Sequence, residues 1–323
     1  MPAPPITTGF LEAVPPQSVH SVTFNVPDWK TCMGFKDGDP AVFGQLKSIY
    51  PRLMPFGPVK QLAGAIHQKL GLSATQGLFY WAAPEMLRVA RDWATSPRRK
   101  DLALAADDIV FRVVDVGGVR LYVAAFPAAK AKGIVGAWQN YGLGPSSRLA
   151  LELLPHAATL TEVPFDGDIL NPPAPTDLAE GPGHAGLRER IAGLLRRGAV
   201  EPERAPVEPA DVYVYPSGMA AIYRAHQALL RRKPGQVLVL GSIFWNSWKL
   251  FEESDDGFKH FGQVAGGDEV LDGVEAWLDA QAAAGGRVSY VFAEFPSNPL
   301  LVGVDLRRLR ALVRAAPFTP ESE

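Results

Sequence analysis

Three short stretches concentrate the residue types that could do chemistry. In DVYVYPSGMAAIYRAHQALL, residues 211–230, a run of β-formers halts at Pro216, turns through Ser217 and Gly218, and continues as an Ala-rich helix. Backbone N–H groups at a helix's amino end are unpaired and sit at the positive end of its dipole, so they bind phosphate. Gly218 admits close approach, and the Ser217 hydroxyl adds a donor. The same pair also serves as a tight connection in which Ser217 caps the helix. Neither a P-loop nor a GxGxxG follows any β-run, so nucleotide binding through those loops is not supported. GSIFWNSWKLFEE, 241–253, places Phe244, Trp245, Trp248 and Phe251 close together. One of these rings facing a crevice would stack on a flat heterocycle, while the others serve ordinary packing. VFAEFPSNPLL, 291–301, carries a β-run to Glu294, breaks it at Pro296 and Pro299, and leaves Asn298 at the rim, where an Asx-type turn is the plainer reading.

All three stretches lie where a β-run ends. The pattern after residue 185 alternates β-runs and helices: DVYVY (211–215), a helix over 218–231, QVLVL (236–240), HFGQV (260–264), a helix over 268–283, RVSYVFAEF (287–295), and a last helix from Asp305. Such alternation predicts mostly parallel β-α units, whose strand carboxyl ends line the ligand crevice. Before that, residues 1–26 read as a proline-rich arm. VKQLAGAIHQKLG (59–71) spaces Leu62, Ile66 and Leu70 as one face of a helix, a second helix follows over 84–94, and 108–126 reads as a hairpin turning at Gly117-Gly118. The expected division is an α+β N-terminal extension over 1–154, a Pro/Gly-rich linker or insertion over 155–184, and an α/β domain over 185–323.

The 323 residues are 47% hydrophobic, enough for substantial cores, and 32 Lys plus Arg against 34 Asp plus Glu leave a formal charge of −2. That balance points away from nucleic acid and anionic membrane surfaces and toward a small-molecule partner. Cys32 is the only cysteine, and the six histidines are scattered without metal-ligand spacing, so neither a disulfide nor a metal site is expected. No apolar run reaches the roughly 18 residues of a membrane span. The expected compartment is the cytoplasm.

Taken together, PSGMAA, SIFWNSWKLF and EFPSNPLL make the chain resemble the cystathionine gamma-synthase family, the pyridoxal-phosphate enzymes of cysteine and methionine metabolism, in its fungal form with a long N-terminal extension. The resemblance implies an aspartate-aminotransferase-like (fold type I) large domain with pyridoxal 5′-phosphate as cofactor. It implies that Ser217, Gly218 and Met219 hold the cofactor phosphate. Phe244 stands where the family has a tyrosine stacked on the pyridine ring, and Asn298 lies beside that ring. GPSSR (144–148) resembles a segment whose arginine reaches a neighbouring subunit's phosphate, which makes Arg148 a cofactor-binding residue, with Tyr50 and Arg52 of SIYPRLMPF as the other candidates. A homo-oligomer, dimer or tetramer, and an amino-acid substrate are implied as well, with γ-replacement of an activated homoserine by cysteine as the reaction and lyase or sulfhydrylase chemistry as alternatives.

The family's chemistry also needs an aspartate at the pyridine nitrogen and a lysine that carries the cofactor. After EFPSNPLL the sequence holds the helix DLRRLRALVRAA and then PFTPESE, with no matching segment for either residue, and Lys249 and Lys259 stand in no such context. The expectation is therefore an incomplete large domain: a C-terminally truncated member without catalytic residues of its own and without covalent cofactor attachment. A non-catalytic interaction protein that docks on a full-length relative is the competing expectation.

Overall fold

The computed structural model describes residues 8–14, 18–26, 28–177, 180–199, 206–262, 268–297 and 300–316. The chain divides into two compact units, Met1–Ser217 and Gly218–Glu323.

The first unit opens with a two-stranded antiparallel ribbon, β1 (Ala13–Val14) with β2 (Thr23–Phe24), followed by helices α1 (Trp29–Asp37) and α2 (Pro40–Phe43). Asp28 and Asp39 cap these helices by accepting from Thr31 N and Ala41 N. Leu11, Leu46 and Ile49 form the buried centre of this region, with Phe24, Phe35 and Phe43 packed around them. Helix α3 (Pro58–Lys69) buries Val59, Leu62 and Ile66, the face that the 3.6-residue spacing predicts.

Strand β3 (Gln76–Trp81), helix α4 (Met86–Thr95), strands β4 (Val110–Val116) and β5 (Val119–Pro127), helices α5 (Ala131–Tyr141) and α6 (Ser147–Leu153), strand β6 (Thr161–Val163) and helix α7 (Pro182–Gly198) complete the unit. The four strands form an antiparallel sheet in the order β3-β5-β4-β6. The hairpin turns where expected, with Gly117 at φ 55° and Gly118 at φ 80°, the two positive values that a two-residue hairpin turn needs to match strand twist. β5 is buried over six consecutive residues, Leu121 to Phe126, as befits a central strand covered on both faces. Gly136 lets α5 approach α4, since a Cβ there would stand 2.0 Å from the Trp93 ring. Within the stretch 155–184, β6 pairs with β4 through Val163 opposite Val113, and α7 begins at Pro182.

The second unit has three layers. Helix α8 (Gly218–Arg232), strand β7 (Gln236–Leu240), helix α9 (Trp245–Glu252), strand β8 (Phe258–Phe261), helix α10 (Asp268–Ala283), strand β9 (Val288–Ala293) and helix α11 (Leu306–Ala315) follow one another along the chain. The three strands are parallel in the order β8-β7-β9. QVLVL is an unbroken apolar run because both its faces are covered. Val237 and Val239 join Phe251 and Ile222 in one core, while Leu238 and Leu240 join Leu271, Val274 and Leu278 in the other. The unit is thus α/β, with the parallel connectivity expected from the alternation.

One expected strand is absent. Pro209–Asp211 forms a single 3-10 turn and residues 212–215 carry no strand, with Val212 buried and Tyr213 exposed. β-propensity is expressed only against a neighbouring strand, and none pairs with DVYVY among the described residues. The neighbouring HFGQV is displaced rather than lost: the strand is Phe258–Phe261, and residues 263–264 lie outside the described ones.

Candidate functional site

In the second unit the carboxyl ends of β7 and β9 lie side by side, whereas the expected third strand end, that of DVYVY, is not formed. β7 ends at Leu240 and turns through Gly241, whose N–H donates to Phe261 O at 2.8 Å and whose carbonyl accepts from His260 Nε2 at 2.8 Å. Phe244, the residue before α9, donates its backbone N–H to Glu294 Oε1 at 2.7 Å, so the loops after β7 and β9 are tied together. Sequence reasoning assigned Glu294 no such role. Its only signal was that an acidic residue stood at the end of a β-run.

The four aromatic residues of the β7–α9 stretch divide by burial. Phe251 is in the core, and Trp248 is held edge-on by Phe258 and His260, each with ring centroids 4.8 Å away. Phe244 remains 39% exposed, and Trp245 is exposed with Lys249 Nζ 4.7 Å from its ring centre. Phe244 is therefore partly open to solvent just past the end of β7. Gly218 opens α8, a Cβ built on it meets nothing within 4 Å, and the buried Met219 directs its Sδ to the Ser247 hydroxyl at 3.8 Å. Asn298 lies outside the described residues.

The first unit contains a separate cavity of ≈ 100 Å³ that brings together Ser217, Arg148, Tyr50 and Arg52, with His20 and Ser147. The sequence had named Arg148 and the Tyr50–Arg52 pair as alternatives, and the fold places both in one wall system. Arg52 is set by α5: its Nη1 donates to Gln139 O at 2.8 Å, while Trp138 Nε1 donates to Pro51 O and Gln139 Nε2 to Leu53 O, each at 2.8 Å. These reciprocal bonds clamp the 51–53 loop against α5, and burial pushes the Arg52 guanidinium below its ordinary value.

Ser146 caps α6 by accepting from Leu149 N at 3.1 Å, and buried Ser147 pairs its Oγ with His20 Nδ1 at 2.9 Å. Ser217 Oγ donates to Gly142 O at 2.9 Å, so its proton is committed within this unit. Arg148, exposed in the first turn of α6, has no hydrogen-bond or ion-pair partner among the described residues. No group of His, Cys, Asp or Glu among the described residues could hold a metal ion, and no described helix is long and apolar enough to cross a membrane.

Comparison with known proteins finds the resemblance along nearly the whole chain. The chain is 27% identical over 92% of its length to an alanine racemase of Aspergillus violaceofuscus, and 27% identical over 94% of its length to a cystathionine gamma-synthase-like enzyme of Amanita muscaria. It is 23% identical over 98% of its length to cystathionine gamma-synthase of Neurospora crassa. It spans 56%, 58% and 64% of those relatives' own lengths, respectively. No known protein-family model matches the chain, and no solved structure does. The cystathionine gamma-synthase-like character read from PSGMAA, SIFWNSWKLF and EFPSNPLL is thus borne out by relatives aligned over more than nine-tenths of the sequence.

Proposed function

We propose that the chain carries the phosphate- and ring-binding portion of a fold type I pyridoxal-phosphate-dependent enzyme that acts on amino acids. The relatives' names range from cystathionine gamma-synthase to alanine racemase. Of those reactions, γ-replacement of an activated homoserine by cysteine is the reading that the three motifs favour. The observation that carries the proposal is Phe244: an aromatic residue left 39% exposed past the end of a parallel strand, with its backbone N–H bonded to Glu294.

The residues present fit the group. First-turn amides of α8 at Gly218 and Met219 are suited to a phosphate, the open Cβ direction of Gly218 leaves the backbone approachable, and the buried Met219 side chain points to Ser247. The Ser217 hydroxyl proton goes to Gly142, so in this conformation the phosphate contact is a matter of backbone amides. Phe244 supplies a stacking face without a hydroxyl, and so without the acid-base capacity of a phenol. When bound, the cofactor would supply an electron sink for charge developing beside the substrate amine.

Lys249 is ion-paired to Glu252 at 2.7 Å, and Lys259 lies against the Phe261 ring, 5.3 Å from its centre. Neither is assigned as the lysine that carries the cofactor, and cofactor held by these 323 residues alone is held without a covalent bond. Equilibrium dialysis of the chain against pyridoxal 5′-phosphate tests the proposal. Saturable binding that weakens roughly tenfold in Phe244→Ala is expected, since one aromatic stacking contact is worth about 0.5–1.5 kcal/mol beyond its area. Binding that is absent, or indifferent to Phe244, would sink it.

A further inference from the structure

We infer that Glu294 is the positioning residue for the stacking ring: its carboxylate, just past the end of β9, sets where the loop after β7 presents Phe244. This deepens the cofactor reading and rests on it. The loop is short, running from Gly241 to the start of α9 at Trp245, and both its ends are tied to neighbouring strands. Gly241 has φ 76°, in the left-handed region that favours glycine. It is held to β8 twice, by donating its N–H to Phe261 O and by accepting from His260 Nε2, each at 2.8 Å. Phe244, at the other end, stands at φ −58° and ψ 134°, outside the helical turn it precedes, and gives its N–H to Glu294 Oε1 at 2.7 Å. β8 and β9 flank β7 on opposite sides, so the loop is held from both.

The chemistry of the Phe244–Glu294 bond suits that role. A backbone N–H that donates to a carboxylate makes a charge-assisted bond, stronger than one between neutral groups. The carboxylate also stands at the amino end of α9, where the helix dipole favours negative charge. Phe244 is 39% exposed, so packing covers only part of it, whereas Phe251 within α9 is wholly buried. A residue so open to water serves as a stacking face only when its backbone is already in place, since ordering it during binding costs affinity. Glu294 supplies that order from a strand end rather than from the loop itself.

The test takes the 323-residue chain and makes two readings. Without cofactor, hydrogen exchange is followed by mass spectrometry over residues 241–247. With it, equilibrium dialysis gives the affinity for pyridoxal 5′-phosphate. Glu294→Ala is expected to speed exchange at the Phe244 amide roughly tenfold, the worth of one hydrogen bond to a charged group. It is also expected to weaken cofactor binding by about three- to tenfold, and by no more than Phe244→Ala does. Glu294→Gln, whose amide oxygen still accepts from the Phe244 N–H, is expected to restore most of both. In a Phe244→Ala background, adding Glu294→Ala is expected to leave the affinity unchanged, because the carboxylate acts through the ring, whereas a merely structural loss would add. Should Glu294→Ala fail to fold, Glu294→Asp, which keeps the charge but is one methylene too short, carries the same expectations. Unchanged exchange, unchanged affinity beside a loss in Phe244→Ala, or additive losses in the double variant overturns the inference and leaves the cofactor reading standing. A wild-type chain that binds no cofactor overturns that reading, and this role with it.

Discussion

His226 lies in the second unit with 3% of its surface exposed, its Nδ1 2.7 Å from the Tyr290 hydroxyl and its ring edge-on to Phe251. Burial pushes its pKa down to about 4 from the ordinary 6.5. The folded unit holds this histidine neutral, whereas the unfolded chain protonates it below pH 6.5. The unfolded state therefore binds more protons between pH 6.5 and 4, so stability contributed by neutral burial is fully present above 6.5 and lost as pH falls through that window. Unfolding in urea should show a loss of about 2 kcal/mol between pH 7 and 5 that His226→Phe removes, and an unchanged pH dependence in that variant would refute the assignment. At this scale the sequence was uneven. The local placement of Gly218 and Phe244 was legible, the one opening an Ala-rich helix and the other standing between an apolar β-run and the next helix. The clamp of Arg52 by Trp138 and Gln139 was not legible, because it joins segments some 87 residues apart that share no local pattern.

Elements whose local pattern agrees with their surroundings were read closely. Gln236–Leu240 and Asp268–Ala283 form over the expected residues, as does the hairpin at Gly117-Gly118. DVYVY was misread because a run of β-formers becomes a strand only beside a partner. β3 went unrecognised because GLFYW, without alternation, gives no period to separate strand from helix. Two substitutions test the packing account. Leu238, buried in the centre of the parallel sheet, should cost about 2–5 kcal/mol when changed to Ala, seen as an earlier urea midpoint. Gly136→Ala should cost about 1–3 kcal/mol, because its Cβ would meet the Trp93 ring. A neutral outcome for either would mean that the site relaxes more than a close-packed core allows.

At the scale of the molecule, the two compact units present different surfaces. One is a cation-lined recess on an antiparallel α+β scaffold. The other is a set of parallel strand ends with a helix amino terminus and an exposed ring. Relatives aligned over more than nine-tenths of the chain tie the whole sequence, and not the α/β unit alone, to cystathionine gamma-synthase-like proteins. The central claim is that these 323 residues hold pyridoxal 5′-phosphate reversibly at Gly218, Met219 and Phe244. The most direct measurement saturates the chain with the cofactor, reduces with borohydride, and weighs the intact protein and its peptides. The account predicts saturable binding before reduction and no stoichiometric pyridoxyl group on any lysine afterwards. One pyridoxyl group per chain at a single lysine, Lys249 and Lys259 included, would contradict it.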